Sequence, residues 1–197
     1  MGYEKLNKIT NYILSKVSNL SSYAILTILI GRMGSGKTTL SKSIASKFAE
    51  RVGGVCLYSS NYHILYKLDS LKSEQPTALV VDDVSFKLDR EMLGNIFRIR
   101  HLVSPRVMLV LNCHYQKSIA PFLRGAQVRI LTSLSEAEIK AFESEYLFTT
   151  SSLWDYLHYL YKYPDRYIIL GSFYGREHIV DVTNEVFDIC KEIEFKD

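Results

Sequence analysis

Cysteine is scarce in this chain of 197 residues: only Cys56, Cys113 and Cys190 occur, odd in number and far apart. That usage excludes a disulfide framework and a cysteine-based zinc site, and it points to a reducing compartment. The five histidines, His63, His101, His114, His158 and His178, add no metal-ligand spacing. Long apolar runs are missing as well. Ala24–Leu26 and Ile28–Ile30 are separated by Thr27, whereas a membrane span needs about 20 apolar residues, so none is expected. Residues 1–20 carry Glu4, Lys5, Lys8 and Lys16 through an amphipathic pattern, and no secretory signal is read there. Ten glycines and four prolines are too few for a collagen-like or low-complexity chain. What is left is 47% hydrophobic and 23% charged, the make-up of one globular domain that buries about two-thirds of its unfolded surface.

Charge is unevenly spread. Residues 1–134 hold 18 Lys/Arg against 8 Asp/Glu, and residues 135–197 hold 6 against 13. A basic body followed by an acidic stretch fits a polyanionic partner for the body, although no single basic run is dense and solvated faces would read the same way.

Apolar periodicity predicts a helix over residues 4–20 and a buried strand over Tyr23–Ile30. A helix over Thr38–Arg51 follows, with Leu40, Ile44 and Phe48 on one face. Strands are read at Val55–Tyr58, Thr77–Val81, Val107–Leu111 and Val128–Leu131, with a short helix at Ile64–Leu71. A helix over residues 86–103 carries the stripe Leu88, Met92, Ile96, Ile99 and Val103, and Ser135 caps a further one. Beyond it come a helix over 152–162 and two short strands, Ile168–Leu170 and His178–Val182, forming a hairpin. Strands alternating with helices predict an α/β protein with a parallel sheet flanked by helices. Three stretches result: an N-terminal helix (1–22), a core (23–134), and a C-terminal helix-and-strand part (135–197) packed on that core within a single domain.

The sharpest motif is Gly31-Arg32-Met33-Gly34-Ser35-Gly36-Lys37-Thr38, a full match to the phosphate-binding loop pattern, with Thr39 directly after it. It lies between an apolar strand and an amphipathic helix, as the motif requires. Glycines let the backbone wrap phosphates with its N–H groups, and the helix adds its positive N-terminus. Lys37 is expected at the β- and γ-phosphates of ATP, and the Thr38 hydroxyl on Mg²⁺. Ala78–Val81 runs into Asp82-Asp83, a Walker B pattern. Asp82 would hold the Mg²⁺ shell and Asp83 would polarise an attacking water; aspartate at a strand end also caps helices. Val107–Leu111 ends in Asn112. In P-loop ATPases with an additional strand, this strand lies between the phosphate-loop and Walker B strands, and its terminal polar residue senses the γ-phosphate. Asn112 is the candidate sensor and His114 the substitute.

These segments, with His114-Tyr115-Gln116-Lys117-Ser118 and Pro121-Phe122-Leu123-Arg124, resemble the FtsK–HerA superfamily of P-loop ATPases. The small size resembles the viral genome-packaging members, archaeal viruses in particular. The resemblance covers roughly residues 23–134. It implies a P-loop fold of the additional-strand, RecA-like type and an ATP-hydrolysing motor. It further implies a homo-oligomeric ring, often a hexamer, driving double-stranded DNA through its centre, with a capsid or portal-type partner. The location implied is the cytoplasm, the host's if the source is viral. Two positions depart from the family: Asp83 stands where a glutamate is usual, one methylene shorter, and Asn112 where a glutamine is often found. A ring ATPase completes each site with an arginine from its neighbour. Arg124 is the first candidate, with Arg129, Arg106, Arg98 and Arg100 as rivals. Arg90, Arg98, Arg100 and His101 could face DNA or simply solvent.

Two enzyme or regulator classes compete with the motor. A small nucleotide or metabolite kinase needs a basic lid for its second substrate, but the stretch from Ser133 onward is acidic. A helicase-loader or AAA-type regulator would turn over slowly and without regard to DNA. A nucleotide-dependent interaction module without activity is the last alternative.

Overall fold

The computed structural model describes residues 7–84, 88–114, 126–145, 151–173, 176–182 and 184. One seven-stranded sheet runs through it, in the order β2-β3-β4-β1-β5-β6-β7. The first five strands are parallel: β1 (Tyr23–Ile30), β2 (Val55–Ser59), β3 (Thr77–Val81), β4 (Arg106–Cys113) and β5 (Val128–Thr132). Strands β6 (Tyr167–Phe173) and β7 (Arg176–Asp181) join the β5 side antiparallel, as a hairpin. The C-terminal strands therefore extend the sheet itself, where the sequence pattern had them packed on the core. No helix among the described residues is long and apolar enough to cross a membrane.

Alternation along the strands sends side chains to two separate cores. On one face Ile25, Leu29, Val80, Met108, Val110 and Ile130 pack under α1 (Asn7–Val17) and α2 (Lys37–Val52). On the other, Ile28, Ile30, Leu79, Val81, Leu109 and Leu111 pack with the remaining helices. The predicted faces hold: Leu40, Ile44 and Phe48 of α2 are all buried, and so is the whole stripe from Leu88 to Val103.

Helix boundaries differ where local chemistry intervenes. The helix starts only at Arg90, as α3 (Arg90–Phe97), because Asp89 caps it by accepting a bond from the Met92 N–H. The helix is interrupted at Arg98 and resumes as α4 (Ile99–Leu102). Residues 62–71 form two 3₁₀ segments, Tyr62–Tyr66 and Leu68–Leu71. Leu65 and Leu68, one in each segment, are both fully buried. Helices α5 (Glu136–Glu145) and α6 (Ser151–Lys162) follow β5. Ser135 accepts from the Glu138 N–H at 3.3 Å, as its capping role requires.

Candidate nucleotide-binding site

The loop of residues 31–36 joins the C-terminal end of β1 to the N-terminus of α2. Gly34 and Gly36 adopt φ of 77° and 76°, the left-handed region that favours glycine. Gly31 is required for a different reason: a Cβ there would lie 2.6 Å from Thr132 Cγ2 and 2.7 Å from the Thr132 carbonyl at the end of β5. Arg32 and Met33 stand at the exposed tip, Met33 at 84% exposure. Thr39 is half-buried in the first turn of α2.

Lys37 is only 6% exposed. Its Nζ donates to the carbonyls of Gly31 (2.8 Å) and Arg32 (2.7 Å), and His114 Nδ1 lies 3.4 Å away. Burial pushes this ammonium below the ordinary lysine range, against the pull of Asp82, Cys113 and Asp83. Thr38 Oγ1 donates to Asp82 Oδ2 at 2.6 Å. The same oxygen accepts from Tyr58 Oη at 3.1 Å, and Oδ1 accepts from Asn112 Nδ2 and the Asp83 N–H, both at 3.0 Å. Burial alone would raise the Asp82 pKa, but the bonds from Thr38, Asn112, Asp83 and Tyr58 outweigh it and hold the carboxyl below its ordinary value.

Sheet order brings these groups together. Strand β4 lies between β1 and β3, so its end meets both the loop and the Asp82-Asp83 pair. Asn112 is 1% exposed and its amide nitrogen is committed to Ser41 Oγ (2.8 Å) and Asp82. His114, two residues on, spans the site instead: Nε2 is 3.0 Å from Asp83 Oδ1 while Nδ1 faces Lys37. Asp83 is exposed and carries φ of 54°, unusual outside glycine. Arg124 lies outside the described residues. Of its rivals, Arg129 is 2% exposed within β5 and so offers nothing to a neighbouring molecule. Arg106 sits at the start of β4, at the sheet end away from the loop, and Arg98 and Arg100 are exposed around the α3–α4 junction.

Three site residues escape a sequence reading. Ser41 follows Thr38 by one helical turn, so helical spacing could have found it. Tyr58 reaches Asp82 only because β2 pairs with β3, in register Tyr58 to Val80. Tyr167, from β6, donates its hydroxyl to the Ser35 carbonyl, and nothing local to residue 167 signals that.

The residues present fit a phosphate chain with a hard cation. Thr38 and Asp82 supply oxygen ligands of the type Mg²⁺ takes, beside a lysine. Among the described residues, the buried Asn112 Oδ1 and Ser35 Oγ have no hydrogen-bond partner.

No known family profile matches the sequence, and no curated protein matches it either. Solved structures do. The genome packaging NTPase B204 from Sulfolobus turreted icosahedral virus 2, in complex with ATP-gammaS, superposes with a TM-score of 0.57 at 14% identity, covering 79% of this chain and 96% of that one. This chain has the fold of a P-loop NTPase. The same viral protein in complex with AMP gives a TM-score of 0.57 at 14% identity, covering 81% of this chain and 98% of that one. B204 from Sulfolobus turreted icosahedral virus, described as a DNA-packaging ATPase, gives 0.56 at 14% identity, covering 79% of this chain and 96% of that one. At this identity the likeness concerns the fold alone.

Proposed function

We propose that the chain is a Mg²⁺-dependent ATPase that couples hydrolysis to the movement or packaging of double-stranded DNA. The observation that carries the hydrolase reading is the link Lys37–His114–Asp83 at the open end of the phosphate loop. It ties a phosphate-binding cation to an exposed carboxylate one residue beyond the metal-side aspartate. Lys37, held by two loop carbonyls, is the cation available to the phosphates. Thr38 and Asp82 would hold Mg²⁺, which when bound neutralises charge on the β- and γ-phosphates. Asp83 orients and deprotonates water. His114 takes the sensing role, since it contacts both Lys37 and Asp83, and Asn112 aligns Asp82 from below. Water rather than a second substrate is the acceptor, because the carboxylate stands at an exposed position with no basic lid encoded after residue 133.

The DNA reading rests on two supports. One is the basic excess of residues 1–134; the other is the fold shared with a protein described as a genome packaging NTPase. A ring of identical copies, with Arg124 entering the neighbour's site, and a capsid or portal-type partner belong to the same proposal. The test is phosphate release from Mg²⁺-ATP with no acceptor present, with and without duplex DNA, alongside the solution mass. Release that rises with DNA in an oligomer is the expected result. Release without response to DNA would leave a nucleotide-switched regulator, and release only with a second substrate would leave a kinase.

A further inference from the structure

Strand β6 belongs to the C-terminal addition, beyond the five parallel strands, yet its first residue reaches the phosphate loop. Tyr167 pairs with Thr132, the residue against which Gly31 packs. Its ring lies on the α2 face of the sheet, in the same core as Leu40, Ile44 and Phe48, and only 8% is exposed. The hydroxyl donates to the Ser35 carbonyl, and a Cβ on Gly36 would lie 3.5 Å from it.

We propose that Tyr167 is a positioning residue of the phosphate loop, fixing the Ser35–Gly36 peptide so that the Gly36 N–H is presented to a bound phosphate. This rests on the nucleotide-binding reading above and adds a residue to it. A trans peptide is planar, so its C=O and N–H point in opposite directions. Holding the Ser35 carbonyl down on β6 therefore turns the Gly36 N–H up, away from the sheet and into the loop. The peptide needs such a pin, because one of the two torsions that rotate it is φ of Gly36, left-handed at 76°, and glycine puts little steric resistance in the way of rotation. Within the loop, Ser35 N–H to the Arg32 carbonyl, at 3.3 Å, is a long bond. Lys37 binds the carbonyls of residues 31 and 32 and leaves that of Ser35 to Tyr167.

The substitution Tyr167→Phe keeps the buried ring and removes only the donor. Calorimetric titration with inorganic pyrophosphate and with ADP, both without metal, reads anion affinity. A ¹⁵N-glycine spectrum of the same samples reads the Gly36 amide directly. Wild type is expected to bind both anions with a large shift of the Gly36 resonance, and Lys37→Ala to lose binding. Tyr167→Phe should bind about three- to ten-fold more weakly, the worth of one hydrogen bond, with a reduced Gly36 shift and a ligand-free melting temperature lowered by no more than a few degrees. Wild-type affinity in Tyr167→Phe would overturn the proposal. So would tighter binding, which would make the bond a restraint on the loop, or weaker binding with the full Gly36 shift retained. Failure of the wild type itself to bind either anion would sink the nucleotide reading and this proposal with it. Should Tyr167→Phe not fold, a Gly36 resonance in wild type that ignores pyrophosphate would still refute the presented N–H.

Discussion

Asp83 occupies a backbone conformation, φ 54°, that costs a non-glycine residue about 1 kcal/mol or more. Strain of this kind at a candidate catalytic carboxylate is consistent with stability given up for position. The substitution Asp83→Gly should therefore keep or raise the melting temperature, by roughly 1–3 °C, while phosphate release is lost. A clear fall in melting temperature would show that the exposed contact with His114 outweighs the backbone strain. Asp82 has the opposite character. Four donors converge on its carboxylate and its folded pKa lies below the unfolded one. Its contribution to stability is thus present above the ordinary carboxylate range and disappears as pH falls through the folded value. Between about pH 5 and pH 3 the wild type should lose more of its melting temperature than Asp82→Asn, which has no titrating carboxylate at that position. Parallel melting curves across that range would remove Asp82 from the account of acid lability.

The site is assembled from strand ends. Three parallel neighbours, β1, β4 and β3, deliver the loop, His114 and the Asp82-Asp83 pair to one edge, and β5 supplies a floor through Thr132. The Gly31 contact makes that floor testable. In Gly31→Ala the new methyl meets Thr132 backbone as well as side chain, so β1 and β5 must separate or the loop must move. Overpacking of this kind costs roughly 1–3 kcal/mol, and the melting temperature should fall by several degrees together with pyrophosphate affinity. Normal affinity in a destabilised variant would mean the loop can shift independently of β5. Helix α2 is anchored more deeply, with Phe48 fully buried and edge-on to Tyr23 at 6.1 Å. That anchoring holds Thr38 and Ser41 against Asp82 and Asn112.

For the whole molecule, the uneven charge gives the clearest expectation. If the basic body engages duplex DNA, each phosphate contact releases counterions, and DNA stimulation should fall about ten-fold or more over a few-fold rise in salt. A stimulation indifferent to salt would argue against backbone contacts by residues 1–134. In a ring, Arg124→Ala should cut turnover by roughly 10³-fold, with partial rescue on mixing with Lys37→Ala subunits, because a mixed interface can pair one intact half from each. Absence of rescue would place Arg124 in its own subunit's chemistry or outside the site altogether.

How much was legible in the residues alone follows from the range of the forces involved. The phosphate loop, the Asp82-Asp83 strand end and the α2 face are local patterns, and the sequence determined them. Spacing along one helix or strand decides which side chains share a face, and glycine is demanded by the backbone wherever φ turns positive. The insertion of β4 between β1 and β3 was expected only from the resemblance to P-loop ATPases with an additional strand, since an apolar strand ending in a polar residue does not by itself specify its neighbours. What the sequence could not decide is which of two nearby polar residues faces the site. Asn112 near the end of β4 and His114 just beyond it are two residues apart, and only the packing of α2 draws Asn112 onto Ser41 and leaves His114 between Lys37 and Asp83. Tyr58 and Tyr167 are further from reach: 24 residues separate Tyr58 from Asp82 and 132 separate Tyr167 from Ser35. Their hydroxyls arrive through pairing of β2 with β3 and of β5 with β6. Strand pairing is a long-range choice made by burying both faces of one sheet, so these contacts exist only once the tertiary structure has formed.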